Sequence, residues 1–149
     1  MADSPVAERV LVLAPIGRDG PATLDLLGRA SITGVICGSF GQLLEELLQG
    51  AEAAFVAEEG LFGQDLDALG RWVATQPPWS DLPFVVLTSR HDQPRVNVWR
   101  QELVRILGNV SLLERPVQPI TLVSVMQAAL RARARQRQVR SLLAARDEA

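Results

Sequence analysis

The stretch FVVLTSRHDQPRVNVWRQELVRILGNVSLLERP, residues 84–116, decides the fold. It begins with the apolar run Phe84-Val85-Val86-Leu87, whose length and β-branched residues predict a buried strand. A second apolar run, Val110 to Leu113, predicts another strand. Between them, apolar residues at helical spacing predict a helix that ends at Gly108; they are Val96, Trp99, Leu103, Ile106 and Leu107. Strand, helix and strand in this order are typical of a parallel sheet covered by helices.

The same alternation runs through the whole chain. Three further apolar runs predict strands, at Val10–Leu13, Val35–Cys37 and Ala53–Ala57. Ser39 and Gln42 have the spacing of a capping box and predict the start of the second helix. The last helix begins near Pro119 and shows no stop signal.

Five βα units are too few for a closed eight-stranded barrel. We therefore predict an α/β, flavodoxin-like open parallel sheet of strand order 2-1-3-4-5, covered on both faces, with an extended C-terminal helix. In that topology ligands bind at the carboxyl ends of strands 1 and 3, so function is sought there.

Composition limits the class of protein. A chain of 149 residues with 48% hydrophobic residues is long enough for one packed domain. Its single cysteine, Cys37, excludes an intramolecular disulfide and a Cys-rich zinc site, and its apolar surroundings predict a buried, unreactive thiol. No apolar run approaches the roughly 20 residues that span a bilayer, and the N-terminus lacks a signal pattern. We expect a cytoplasmic protein without membrane partners.

Charge is unevenly distributed along the chain. There is no lysine, and all 15 basic residues are arginine. Residues 1–130 hold nine arginines against 15 acidic residues, a net charge of −6, whereas residues 131–149 hold six against two, a net charge of +4. We therefore expect an N-terminal tail over 1–8, a globular domain over 9–130 and a helical linker over 131–149.

The βα pattern over roughly residues 9–130 resembles the CheY-like receiver domain of two-component signalling. The stretches 76–90 and 108–116 look like degenerate receiver domains at the N-terminus of bacterial sensor histidine kinases, where a PAS domain or kinase core follows. The resemblance implies five pocket positions, which form four pocket elements. They are an acidic pair after strand 1 that binds magnesium, a phosphate-accepting aspartate ending strand 3, a Thr or Ser ending strand 4, and a lysine followed by a cis proline ending strand 5.

The first two pocket elements are missing from this chain. Strand 1 is followed by Ala14 and Pro15, which offer no oxygen ligand for a hard cation. Ala57 occupies the phosphoacceptor position, and a one-residue shift would place Glu58 there instead. Because phosphoryl transfer needs both the aspartate and the metal, we expect no magnesium-dependent phosphorylation, no bound metal or cofactor and no enzymatic activity.

The other two pocket elements are kept only in part. Thr88 and Pro116 match the resemblance, but Arg115 stands at the lysine position and Leu112 at an aromatic switch position. Arginine does not replace lysine, because its planar fork differs in reach and geometry from a compact ammonium group. Thr88 has a plainer interpretation as a strand-end hydroxyl.

Two interpretations remain open for Glu58 and Glu59. In the first, they mimic a phosphorylated aspartate; in the second, they lie in a solvated loop. Arg115 is also a candidate for a bidentate contact with one of them. His91 is expected at the surface, since no second histidine exists to build a metal site. A triad of Ser89, His91 and Asp92 is rejected because such near neighbours cannot reach relay geometry.

The last helix carries an a/d heptad pattern that predicts a coiled-coil seam. Its positions are Leu122, Val125, Ala129, Ala132, Gln136, Val139 and Leu143, with Gln136 as a polar position that could set the register. Three interpretations compete: a solvated charged helix, a parallel dimeric linker to a downstream kinase module, and a nucleic-acid-binding arginine run. The third is disfavoured because the run lacks interleaved aromatics and the rest of the chain is acidic.

Together these features predict a non-catalytic pseudo-receiver that acts through protein contacts and homodimerisation. The partner would be the kinase module of its own longer chain. The alternatives are a nucleic-acid-binding regulator and a small-ligand sensor that uses the emptied pocket near Ala14, Glu58 and Arg115.

Overall fold

The computed structural model describes residues 9–90 and 93–148. Its five strands form one parallel sheet of order β2-β1-β3-β4-β5, which confirms the predicted flavodoxin-like topology. The strands are β1 (Arg9–Leu13), β2 (Thr33–Ile36), β3 (Ala53–Ala57), β4 (Phe84–Thr88) and β5 (Val110–Glu114).

Five α-helices connect and follow the strands. They are α1 (Asp19–Arg29), α2 (Phe40–Gln49), α3 (Leu66–Ala74), α4 (Pro94–Leu107) and the 30-residue α5 (Pro119–Glu148). The Ser39 half of the predicted capping box is present at α2, where the Ser39 hydroxyl accepts from the Gln42 amide at 3.1 Å, while the Gln42 side chain accepts from the Gly38 amide at 2.7 Å. No helix in the part of the chain that the structure describes has the length and apolarity needed to cross a membrane.

The sheet separates two hydrophobic cores, because successive side chains of a strand point to opposite faces. Leu11 and Leu13 of β1 pack with α2, α3 and α4, whereas Val10 and Val12 pack with α1 and α5. The three central strands β1, β3 and β4 are buried along their whole length. Cys37 is buried in the first core, and burial is the main cause that raises the pKa of its thiol to about 11.

The predicted cover of both sheet faces is incomplete at the two edges. Strands β2 and β5 each pair with one neighbour only, and they are partly exposed. Ile36 of β2 and Leu112 of β5, the residue at the aromatic switch position, are both exposed. The helices pack mainly over the central strands, so the edge strands keep part of their apolar surface in solvent.

Candidate functional site

The carboxyl ends of the strands meet at one edge of the sheet, where the sequence places the candidate pocket. Ala57 is the last residue of β3 and is fully buried beside its register partner Leu87 of β4. Glu58 therefore lies one residue beyond the strand, at the start of a single turn of 3-10 helix, Glu58–Gly60. Ala14 and Pro15 follow β1 and bring no polar side chain to this edge.

Glu58 is a completely buried carboxylate, with 0% of the residue exposed. It accepts four hydrogen bonds. The amide and hydroxyl of Ser89 donate to Oε2 at 2.8 and 2.7 Å, and Arg100 donates through Nε to Oε1 and through Nη2 to Oε2, both at 2.8 Å. This bidentate, charge-assisted contact joins the end of β3 to α4. The solvated-loop interpretation is therefore wrong for Glu58, whose charge is neutralised inside the protein.

The Glu58 pKa reports the balance of these contacts. Burial acts to raise the pKa of the carboxyl, but the hydrogen bonds from Arg100 and Ser89 together outweigh it and hold the pKa below its usual value. Glu58 thus stays ionised at neutral pH, and its oxygens are already engaged.

Arg100 is a site residue that the sequence analysis missed, and Ser89 was considered there only as a member of a rejected catalytic triad. One signal for Arg100 was present: it lies four residues after Val96 and three before Leu103, two residues of the apolar stripe of α4. An arginine at such a position faces inward and needs an acidic partner.

Arg115, at the end of β5, makes a second ion-pair cluster. Its Nη1 and Nη2 donate to the two carboxylate oxygens of Glu59 at 2.7 and 2.9 Å, and Nη2 also donates to Asp19 Oδ2 at 2.9 Å. The hydrogen bonds that Arg115 donates to Glu59, and then to Asp19, raise the pKa of this guanidinium. Of the two glutamates considered, Arg115 therefore contacts Glu59, and Asp19 of α1 joins the pair without having been foreseen.

Thr88 and Pro116 complete the edge. The Thr88 hydroxyl donates to the Leu113 carbonyl at 3.4 Å, and its own carbonyl accepts from the Arg115 amide at 2.9 Å. These contacts agree with the plainer interpretation of Thr88 as a strand-end hydroxyl. The peptide bond between Arg115 and Pro116 is cis, as the resemblance implied.

The residues at this edge do not fit a hard divalent cation. Such an ion needs several oxygen ligands, yet Glu58 is bound by Arg100, and Glu59 and Asp19 are both bound by Arg115. A cation would have to displace a guanidinium to reach them. Among the described residues, no group of three or more His, Cys, Asp or Glu side chains could hold a metal ion. His91 and Asp92, also considered for chemistry, lie outside the described residues.

Comparison with known proteins tests the fold. No protein-family model and no curated protein matches the sequence. Among solved structures, NtrX from Brucella abortus superposes with a TM-score of 0.70 at 19% identity. A CheY-like receiver domain protein from Methanospirillum hungatei JF-1 gives 0.67 at 13%, and full-length FixJ from B. japonicum gives 0.65 at 21%.

The chain has the fold of a CheY-like receiver domain. The match covers 87% of this chain and 98% of the Methanospirillum protein. It covers 85% of this chain and 59% of FixJ, and 91% of this chain and 30% of NtrX. The receiver fold thus accounts for most of this chain but for only part of those two longer proteins.

Helix α5 packs against one face of the sheet, and its residues from Gln138 to Glu148 are exposed. Its buried residues are Leu122, Met126 and Arg133, of which only Leu122 was part of the predicted heptad. Arg133 is only 4% exposed. It donates through Nη1 to the Ser80 hydroxyl at 2.8 Å and to Gln136 Oε1 at 2.7 Å. The domain therefore extends into the segment that was predicted to be a separate linker.

A compact set of contacts, the α5 clamp, holds the helix at the amino-terminal edge of the sheet. The Gln136 side chain accepts from the Asp81 amide and donates to the Asp81 carbonyl, each at 2.8 Å. Arg137 Nε donates to Glu52 Oε1 at 2.7 Å. The ring of Trp79 adds cation–π contacts with three arginines: Arg133, Arg137 and Arg140 lie 5.3, 5.6 and 5.1 Å from its centroid. We define the clamp as Glu52, Trp79, Ser80 and Asp81 with Arg133, Gln136, Arg137 and Arg140.

The clamp corrects two interpretations of the last helix. Gln136 bonds to its own domain, so in this structure it is not a polar position within a dimer seam. Arg133 and Arg137 are engaged inside the chain rather than solvated. Because a straight helix drifts about 20° per heptad relative to a 3.5-residue repeat, the predicted seam positions turn gradually away from a single face of α5. The first half of the predicted seam thus serves the domain's own core through Leu122 and Val125, and only its end, at Val139 and Leu143, is exposed.

We predict that Glu58→Gln destabilises the domain in a pH-dependent way. Removing the charge breaks a bidentate ion pair at a fully buried carboxylate, which costs about 3 kcal/mol of unfolding free energy at neutral pH. Since the folded-state pKa of Glu58 lies below its usual value near 4.5, its stabilising contribution is complete above that value. It is lost as the pH falls through the folded-state pKa. Urea unfolding at pH 7 and at more acidic pH measures this difference.

The exposed Glu45 on α2 supplies the matched control. Glu45→Gln should leave the unfolding free energy unchanged at both pH values. A deficit of Glu58→Gln that stays constant on acidification would contradict the assignment of Glu58 as a buried, ionised partner of Arg100.

We predict that Gln136→Ala loosens the end of α5 without unfolding the sheet. The substitution removes two hydrogen bonds with Asp81 and the one accepted from Arg133, which together contribute about 1–2 kcal/mol. Amide hydrogen exchange over residues 133–148 should accelerate about tenfold, whereas exchange in β1, β3 and β4 should not change. The exposed Gln138 provides the control. Equal exchange in Gln136→Ala and Gln138→Ala would show that the clamp does not hold the helix.

Proposed function

We propose that this chain is a pseudo-receiver: a non-catalytic signalling domain of a two-component sensor histidine kinase, which acts through protein contacts. One observation carries the proposal. Arg115 is bound to Glu59 and Asp19 at the edge where a working receiver needs free carboxylates, while β3 ends in Ala57.

The chemistry of phosphoryl transfer supports this proposal. Transfer to a carboxylate requires a nucleophilic oxygen and a metal that neutralises the developing charge. Ala57 offers a methyl group. Glu58 is buried and accepts four hydrogen bonds, so it is poorly placed to attack a phosphoryl donor. The carboxylate of Glu59 is bound through both oxygens.

The two ion-pair clusters replace a switch by fixed connections. Arg100 ties α4 to the ends of β3 and β4, and Arg115 ties the end of β5 to α1 and to the turn after β3. Phosphorylation in a working receiver would add negative charge at this edge. Here the negative charges are built in and already paired, so the arrangement favours one constant conformation.

Helix α5 is the proposed output element. The last residue of the clamp is Arg140, and the end of the helix from Val139 onward exposes the apolar side chains of Val139, Leu142 and Leu143, with Leu142 exposed by 71%. We propose that this end pairs with a second copy and continues toward a downstream kinase module in the cytoplasm. Nucleic-acid binding is less favoured, because Arg133 and Arg137 are already engaged within the domain.

We predict that acetyl phosphate with Mg²⁺ leaves no labile adduct on this chain. The expected result is an unchanged intact mass, because neither an aspartate nor a metal site stands at the end of β3. A receiver domain that carries the aspartate, treated in parallel, must gain one phosphoryl group. A hydroxylamine-labile phosphoryl adduct on this chain would overturn the absence of aspartyl-type chemistry.

We predict that the chain dimerises weakly and reversibly through the end of α5. Sedimentation velocity over a range of protein concentrations should show a monomer–dimer equilibrium. Leu143→Asp should shift it to monomer, since it places a charge in an apolar contact. Ser141→Asp, two residues away on the same helix, should leave it unchanged. A strictly monomeric wild-type chain, or equal effects of the two variants, would contradict self-association at this surface.

A further inference from the structure

The structure contains a cavity of about 500 Å³ between α1 and the start of α5. Its floor is apolar and is formed by Phe55, Leu87 and Leu122, while Leu26 and Val117 form part of its walls. This volume lies within the range of about 300–1,000 Å³ that is usual for small-molecule sites. The cavity adjoins Arg115 but not Glu58, so it differs from the emptied receiver pocket in which the sequence analysis placed a ligand.

Thr23 supplies a polar group without a partner in this cavity. It lies on α1, lines the cavity and is only 7% exposed. Its hydroxyl forms no hydrogen bond with any described residue, whereas the hydroxyls of Thr75 and Thr88 each donate to a backbone carbonyl. The hydroxyl oxygen is still open to solvent, since Arg133 Nε is the fully buried side-chain polar atom without a partner among the described residues, and Thr23 meets that solvent in the cavity. Thr23 therefore marks a position where a bound molecule would gain a directional contact.

The rim of the cavity determines which charge a bound molecule can carry. It bears two acidic and two basic side chains, and they pair with each other. Arg115 contacts Asp19 at 2.9 Å, and Arg29 contacts Asp25 at 2.8 Å. An anion would compete with Asp19 for Arg115, and a cation would compete with the arginines for the acids. A charged ligand would thus find no unpaired counter-charge at the rim.

We infer that this cavity binds a neutral, largely apolar small molecule that carries one hydrogen-bonding group directed at Thr23. Such a molecule would contact α1 on one side and Pro119 and Leu122 of α5 on the other. Binding would stabilise the docking of α5 and would give this domain a chemical input that needs no phosphorylation. The inference goes beyond the proposed function and does not depend on the kinase context.

Three probes of similar size and different charge test the inference: benzyl alcohol, benzoate and benzylamine. Each is titrated into the ¹⁵N-labelled 149-residue chain and followed by two-dimensional NMR. Benzyl alcohol should give saturable shifts in α1 and at the start of α5, and the two charged probes should bind at least about tenfold more weakly. No saturable shift with benzyl alcohol, or tighter binding of either charged probe, would overturn the inference.

Two variants locate the site, and one serves as the control. Ala22→Trp fills the cavity from an exposed position on α1 and should abolish binding. Thr23→Val removes the hydroxyl at nearly constant shape; it should keep or raise the melting temperature while weakening benzyl alcohol binding about tenfold. Gln127→Trp, exposed on α5 and not part of the cavity lining, should bind as the wild type does. Undiminished binding in Ala22→Trp or in Thr23→Val would refute the assigned site.

Discussion

A fully buried carboxylate is tolerated only when its charge and all its lone pairs are satisfied, and Glu58 meets this condition through Arg100 and Ser89. This constraint organises the carboxyl edge of the sheet. It determines where α4 sits, because the guanidinium of Arg100 must reach the end of β3. It also leaves Glu59, the neighbouring residue, as the glutamate that Arg115 contacts. Two adjacent glutamates thus form two separate ion pairs. The Glu58 pair connects α4 to the sheet, and the Glu59 pair connects the turn after β3 to the end of β5, with Asp19 of α1 as a further partner of Arg115.

Helix α5 links this edge to the opposite one. It starts three residues after Pro116 and, at 1.5 Å per residue, travels roughly 25 Å before Gln136 contacts Asp81. The carboxyl edge holds the ion pairs and the amino edge holds the α5 clamp, so the same helix is positioned at both ends of the sheet. Helix α5 is thus one continuous element that runs from the carboxyl edge to the amino edge of the sheet. This geometry supports α5 as the output of the domain.

Arg133 shows that the clamp rests on more than charge pairing. Arg9, Arg100, Arg115 and Arg137 each contact an acidic side chain, whereas Arg133 is nearly buried and has none within the described residues. Burial, and then the nearby Arg137, lower its pKa, and its Nε has no hydrogen-bond partner. The ring of Trp79, the Ser80 hydroxyl and Gln136 compensate part of this cost. The clamp thus depends on specific shape and stacking, and it fixes one rotational setting of α5.

The sequence by itself determined the βα order, the sheet topology and the capping of α2 by Ser39, and it placed Ala14, Ala57 and Arg115 at the strand ends on which the proposed loss of receiver chemistry rests. These features depend on local periodicity and on residue type at strand ends, which one chain displays directly. Tertiary structure alone decided that Glu58 is buried with Arg100 while Glu59 contacts Arg115, because the turn after β3 sets the direction of each side chain. It also decided which surface the heptad positions of α5 pack against. An apolar seam has the same residue spacing whether it packs on its own domain or on a second copy. The contacts between Asp81 and Gln136, which lie 55 residues apart in sequence, show that most of this seam belongs to the domain itself.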